Sequence, residues 1–316
     1  MKMRYCLLIG SVLGSLLAGT ADVRADSGDL PQGAQKRVDD AYRRRNFTFS
    51  DFGRDYGEFK NYLNREYGFD YSFDVSYMPQ RGAPNGRKTA YQTLISPSFT
   101  WTAFNNEYGT GTLNFAYTVA RYGGSQAARI GGNIGAVTEI NDYDDKSNAF
   151  NELYYSYQAG GSWKWLTVAA GQFPLSNFDG TAYDSNQQVN FINYALSQNA
   201  SSTYSTAGVG AYLQATPNSE WTFAVGAQDA TNVDGISMRF NNLNEEHYAT
   251  FGYIAYSPTI KGLGAGQYSV LLYNQPWVEE QKQTTNGWSV NLSQAIGDKL
   301  TVFGRVNGVS GSTAEI

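Results

Sequence analysis

The chain has 316 residues, an aromatic content of 15 %, 24 Tyr and 34 Gly, but one His and one Cys. A formal net charge of −5 argues against nucleic acid as a partner, and any His-based catalytic constellation would have to rest on His247 alone. The mean hydropathy of −0.43 is compatible with a membrane barrel, because half of each strand in such a barrel faces water.

The N-terminus reads as a secretory signal peptide over residues 1–25. Lys2 and Arg4 supply the charged start, Tyr5 to Leu17 the apolar stretch, and Val23-Arg24-Ala25 a cleavage site after Ala25, with Ala21 as the second choice. The stretch is too short and too rich in Gly and Ser for a good spanning helix. Cleavage removes Cys6, so the mature chain has no thiol for a disulfide or a metal site. Loss of three basic residues and one acidic residue takes the net charge from −5 to −7. No later segment has the apolar run of a membrane helix.

Residues 26–50 are polar, with the solvated basic cluster Arg43-Arg44-Arg45, and read as a periplasmic leader. Phe52, Tyr56, Phe59 and Leu63 then recur at helical spacing behind Ser50 or Asp51 as N-cap, which predicts a short amphipathic helix over 51–66.

From Tyr67 the period becomes two. Tyr67, Phe69, Tyr71, Phe73, Val75 and Tyr77 share one face, and Gly68, Asp70, Ser72, Asp74 and Ser76 the other. This length of strict alternation matches a tilted outer-membrane strand of ~9–11 residues. A soluble sheet also alternates, but its buried face is usually aliphatic, whereas this one is aromatic with Tyr at both ends, as at a membrane–water boundary.

The pattern returns at Phe99–Ala103, Leu113–Val119, Leu153–Ala159, Leu166–Ala170, Val209–Ala215, Trp221–Ala227, Phe251–Ala255, Tyr268–Leu272, Trp288–Leu292 and Leu300–Val306, eleven candidate strands in all over 67–316. In each the named ends and the residues two apart from them are assigned to lipid. Connections near Asn105, Gly160, Pro217, Pro258 and Gly297 are short, while 78–90, 122–148, 173–205, 229–247 and 275–286 are longer and polar. Short periplasmic turns alternating with long external loops mark an outer-membrane barrel. The fold class predicted is therefore all-β, a transmembrane antiparallel up-and-down β-barrel. An odd strand number and the loop-like end Gly311–Ile316 predict that the barrel is C-terminally truncated.

Three segments carry a family likeness. They are Tyr56–Tyr71, where a helix runs through a glycine into an aromatic strand; Val168-Ala169-Ala170-Gly171-Gln172-Phe173-Pro174; and Val209–Pro217 with Trp221–Ala230. Together they resemble the carbohydrate-selective porin (OprB) family over roughly Asp51 to Ala230. The resemblance implies an outer-membrane barrel, of more strands than counted here, that passes glucose and related sugars.

If the aromatic face meets lipid, the opposite face lines a lumen, with Asp70, Asp74, Glu152, Tyr154, Gln158, Tyr212, Gln214, Gln228, Tyr256, Tyr273 and Arg305 as candidate solute contacts. Tyr rings offer apolar faces to a sugar's C–H surface, while carboxylates, amides and Arg bond its hydroxyls. The segment 173–205 is the candidate constriction loop, with Asn190, Phe191 and Tyr194 in a helical turn folded inward.

Asn141–Asp145 is oxygen-rich but lacks the Gly and terminal Glu of a calcium loop, so a hydrated external loop is expected and no metal or cofactor. Gly131–Gly135 lacks the βαβ context of a phosphate loop. The function expected is passive diffusion of small polar solutes with a preference for monosaccharides. A barrel enzyme and an adhesive or structural barrel are the alternatives. Expected partners are outer-membrane lipid, lipopolysaccharide and small sugars, with a trimer or a monomer both open.

Overall fold

The computed structural model describes residues 49–83, 88–125, 127–135, 148–181, 191, 193–199 and 201–311. The signal peptide, nearly all of the leader, Asn141–Asp145 and Asn190 lie outside the described residues.

The helix α1 spans Phe49–Tyr67, slightly longer at both ends than the spacing of its apolar residues predicts. Gly68 ends it in the left-handed region at φ +65, and its N–H donates to the Asn64 carbonyl at 2.9 Å. A Cβ there would stand 2.5 Å from the Thr102 carbonyl oxygen, so glycine is what lets the helix end close against the sheet. Tyr56 packs edge-on against Tyr71 at 6.0 Å. Phe59, predicted on the packed stripe, is exposed instead.

The strands are β1 (Phe69–Arg81), β2 (Thr89–Asn106), β3 (Gly109–Gly124), β4 (Asn148–Ala159), β5 (Leu166–Phe173), β6 (Gly208–Ala215), β7 (Trp221–Asp229), β8 (Tyr248–Tyr256), β9 (Thr259–Ile260), β10 (Gly264–Gln275), β11 (Thr285–Ile296) and β12 (Leu300–Ser310). Two short helices, α2 (Ala127–Ile134) and α3 (Tyr194–Ser197), lie in long connections.

All strands are antiparallel in one up-and-down sheet. Each neighbours the next in sequence, except that the two-residue β9 pairs only with β10 off the main path. The eleven strands of that path are the eleven expected. Short and long connections alternate, as the turn chemistry predicts. Among the described residues no pairing joins β1 to β12.

β2 is much longer than Phe99–Ala103. Ser96-Pro97-Ser98 looks like a break, since proline has no amide to donate. In the sheet Pro97 still pairs with Phe73 of β1, and the register with β3 is skipped at Ser96 and Pro97. The strand tolerates proline because Pro97 falls where the β2–β3 pairing is interrupted.

Alternation gives the sheet two unlike faces. One carries exposed apolar side chains, among them Phe73, Val75, Leu213, Val225, Leu272, Val290 and Val306. The other is concave. The chain that follows β5 lies on it and reaches strands far away in sequence: Gly180 accepts from Ser269 of β10, and the Phe191 ring packs tilted, 4.7 Å from that of Phe303 of β12. The buried core lies inside this concavity, where Phe173, Leu175 and Phe178 pack on Phe251, Tyr253, Ala255, Leu271 and Tyr273.

β8 corrects one assignment. Phe251, Tyr253 and Ala255 are predicted to face lipid, but they are buried on the concave face, and Ile254 is the exposed side chain. Tyr256, predicted inside, pairs with Trp221 and Tyr268 on the outer face. The reason is local: Phe251-Gly252-Tyr253-Ile254-Ala255-Tyr256 is apolar on both sides, so a period of two cannot tell the faces apart.

Candidate pore lining

Register decides what meets what on the concave face. On β1 and β2 the inward pairs are Asp70 with Thr100, Ser72 with Ser98 and Asp74 with Ser96. Ser72 Oγ lies 3.0 Å from Ser98 Oγ and donates to Asp74 Oδ2 at 3.3 Å. Thr100 donates to Asn114 Oδ1 of β3 at 3.3 Å. Asp70 and Asp74 are both exposed, and Lys60 of α1 pairs with Asp70 at 2.9 Å. Gln158 of β4 also faces inward at the short-turn end, donating to the Lys164 carbonyl at 2.9 Å.

Further round, Glu152 and Tyr154 project from β4. Glu152 Oε1 accepts from Asn177 Nδ2 at 2.8 Å. Tyr154 stands 6.3 Å from Tyr212 of β6 and 6.5 Å from Phe173. Gln214 of β6 shares this face, opposite Thr167 and Ala224. Asn177 belongs to the Leu175–Phe178 turn, whose two apolar ends are buried while its amide reaches Glu152. This turn therefore joins the open part of the concave face to the covered part.

From β7 onward the concave face is covered. Gln228 is fully buried and donates to Ser205 Oγ at 3.0 Å. Tyr273 lies across Gly287, where a Cβ would come within 1.9 Å of its Cζ. The ring thereby presents its hydroxyl to Thr203, accepting from the Thr203 N–H at 3.2 Å. Thr203 and Thr285 hydroxyls lie 2.7 Å apart. Asp179, 2 % exposed, accepts from Asn199 Nδ2 at 2.8 Å, Tyr204 at 2.9 Å and Asn291 Nδ2 at 3.2 Å. Arg305 Nε donates to Asn291 Oδ1 at 2.6 Å.

Asp70, Asp74, Glu152, Tyr154, Gln158, Tyr212, Gln214, Gln228, Tyr273 and Arg305 are thus on the concave face, but they do not form one cluster. Gln228, Tyr273 and Arg305 hold the covering segment, whereas Asp70, Asp74 and Gln158 look into open space. Tyr256 is outside: its ring is 4.6 Å from Trp221 and 6.4 Å from Tyr268, in an aromatic band at the short-turn end. Of the constriction candidates, Phe191 sits inward on Phe303. Tyr194 begins α3, and its side chain is outside the described residues.

Composition and periodicity give no sign of Asp179, Asn199, Tyr204 and Asn291. The usable signal is Leu175 with Phe178, two large apolar residues three apart at the start of the long connection. Among the described residues no group of His, Cys, Asp and Glu is arranged to hold a metal.

An antiparallel up-and-down sheet with an apolar aromatic outer face and a polar concave face bearing an inward segment has the architecture of a membrane β-barrel wall. No family model matches the chain. Its fold is similar to that of Pseudomonas putida OprB, with a TM-score of 0.57 at 13 % identity over 81 % of this chain and 70 % of that one. In sequence it is 38 % identical to porin AaxA of Chlamydia abortus over 265 residues, 81 % of this chain and 58 % of the relative. Porin AaxA of Chlamydia pneumoniae is 41 % identical over 254 residues, 78 % of this chain and 57 % of the relative. The chain spans little more than half the length of these curated relatives. Its fold is similar to that of OprB, and its sequence is similar to those of the chlamydial porins.

Proposed function

We propose that the chain forms the wall of a passive channel for small polar solutes in the outer membrane, with a preference for monosaccharides. The observation that carries the channel reading is the division of the same strands into two faces. Phe73, Val75 and Tyr77 stand exposed on one, while Asp70, Ser72 and Asp74 stand on the other. Exposed apolar residues in such a continuous band belong in lipid, and their neighbours then border water. The export signal at 1–25, the outer-membrane location and contact with lipid and lipopolysaccharide belong to the same reading.

The sugar preference is supported by the junction of the two parts of the concave face. Tyr154 and Tyr212 offer aromatic rings there, and Glu152 and Asn177 offer acceptors and donors beside them. A pyranose has this pairing of a C–H face and a hydroxyl rim. The test is conductance in planar bilayers together with swelling of proteoliposomes in sugars of graded size. Stepwise ion current that falls on adding glucose, with glucose entering faster than disaccharides, is the expected result. Current indifferent to glucose removes the sugar preference, and absence of any current removes the channel.

A further inference from the structure

We propose that Asp179 is the positioning residue that holds the inward segment across the concave face, and thereby sets the width of the passage beside it. The proposal rests on the channel reading for its consequence, but its geometry stands separately. The segment after β5 has two described arms, 174–181 and 193–199 with 201–207. Asp179 lies in the first. Its Oδ2 accepts from Asn199 and Tyr204 of the second arm, and its Oδ1 accepts from Asn291 of β11. One carboxylate therefore joins both arms to each other and to the wall.

The wall side is itself braced. Asn291 Oδ1 is occupied by Arg305 Nε of β12, which orients the amide so that its Nδ2 points at Asp179. Asn307 of β12 donates to Asn199 Oδ1, fixing that amide in the same sense. All three groups facing Asp179 are donors, and only an all-acceptor group satisfies them together. Asp179, Asn199 and Asn291 are each at most 3 % exposed, so a missing partner is not replaced readily by water. Asparagine at 179 is nearly isosteric but has a single acceptor oxygen. It can serve Asn199 and Tyr204, or Asn291, but not both.

This asymmetry supplies the test. In Asp179→Asn the new amide faces the Asn291 amide, donor to donor. Adding Asn291→Asp reverses that contact: the amide at 179 donates to the carboxylate at 291, whose other oxygen still accepts from Arg305. The full chain is prepared with Cys6→Ser and Ser197→Cys, position 197 being fully buried in α3. Modification by a charged maleimide reports release of the segment.

Asp179→Asn is expected to raise the modification rate about tenfold or more, as loss of a buried charged hydrogen bond predicts. The double variant is expected to fall back towards the parent rate. In bilayers the single variant is expected to show larger or flickering conductance, and the double variant parent-like steps. Equal labelling in parent and single variant, or no recovery in the double variant, overturns the proposal. If the single variant does not fold, refolding of the double variant to the parent's gel mobility supports the pairing, and its failure to fold overturns it. Absence of channels in the parent sinks the porin reading, while the labelling still decides the role of Asp179.

Discussion

The short-turn half of the concave face of β1–β4 and the concave face of β7–β11 are built from the same alternating pattern and end in opposite conditions. Towards the short turns of β1–β4 Asp70, Asp74 and Gln158 remain exposed, whereas Gln92, Leu94, Thr118 and Ala120 towards the long loops are buried. On β7–β11 the inward residues Gln228, Tyr253, Ser269, Leu271, Tyr273, Thr285, Ser289 and Asn291 are buried. The difference is the segment after β5, which lies on one part of the face and not the other. A polar inward residue is therefore a water-facing group in one region and a load of hydrogen bonds to be satisfied in the other.

The largest test of this contrast is Phe178→Ala. The ring packs 4.7 Å from Phe251 and 5.4 Å from Tyr253, and it is almost fully buried. Its removal is expected to destabilise the protein by about 3–5 kcal/mol, read from urea unfolding in detergent. None of the exposed inward residues Asp70, Asp74 and Gln158 of β1–β4 should cost as much, and one that did would erase the distinction.

Gly287→Ala comes next. The added methyl meets the Tyr273 ring and pushes its hydroxyl from Thr203, with a cost of about 1–3 kcal/mol expected from overpacking. Tyr273→Phe in the Gly287→Ala background should then cost less than in the parent, since the hydrogen bond is already lost. Additive costs would mean that the ring escapes without losing Thr203.

Smaller effects are expected on the open side. Lys60→Ala removes a partly exposed ion pair to Asp70 and should lower stability by no more than ~1 kcal/mol, an effect that salt should diminish. Asp74→Asn should leave stability within ~0.5 kcal/mol of the parent. It should nevertheless change the ion current, because Asp74 borders the open space that ions would cross. A large loss of stability with unchanged current would place Asp74 in packing rather than in the passage.

Much of this was legible in the residues. Phe69 to Tyr77 names a strand and its outer face through strict alternation, although Tyr67 and Gly68, which the same alternation places in the strand, form the end of the helix. The sorting of short turns such as Pro217–Ser219 from long polar loops orients every hairpin. Where both sides of a strand are apolar, as in Phe251–Tyr256, the pattern has no contrast and the face is misread. The start of β2 is hidden for a different reason: Pro97 lacks an amide, which is a local fact, while the interruption of the β2–β3 pairing that accommodates it is not.

What the sequence determined by itself is the set of strands, their order and, for most of them, which side chains share a face, because a two-residue period and turn chemistry act over a few residues. Only the tertiary structure decided which inward residues are wet and which are clasped. Asp179 and Asn291 are 112 positions apart in the chain. Their meeting depends on how the sheet curves around the segment after β5, and no local periodicity encodes a contact made across that concavity.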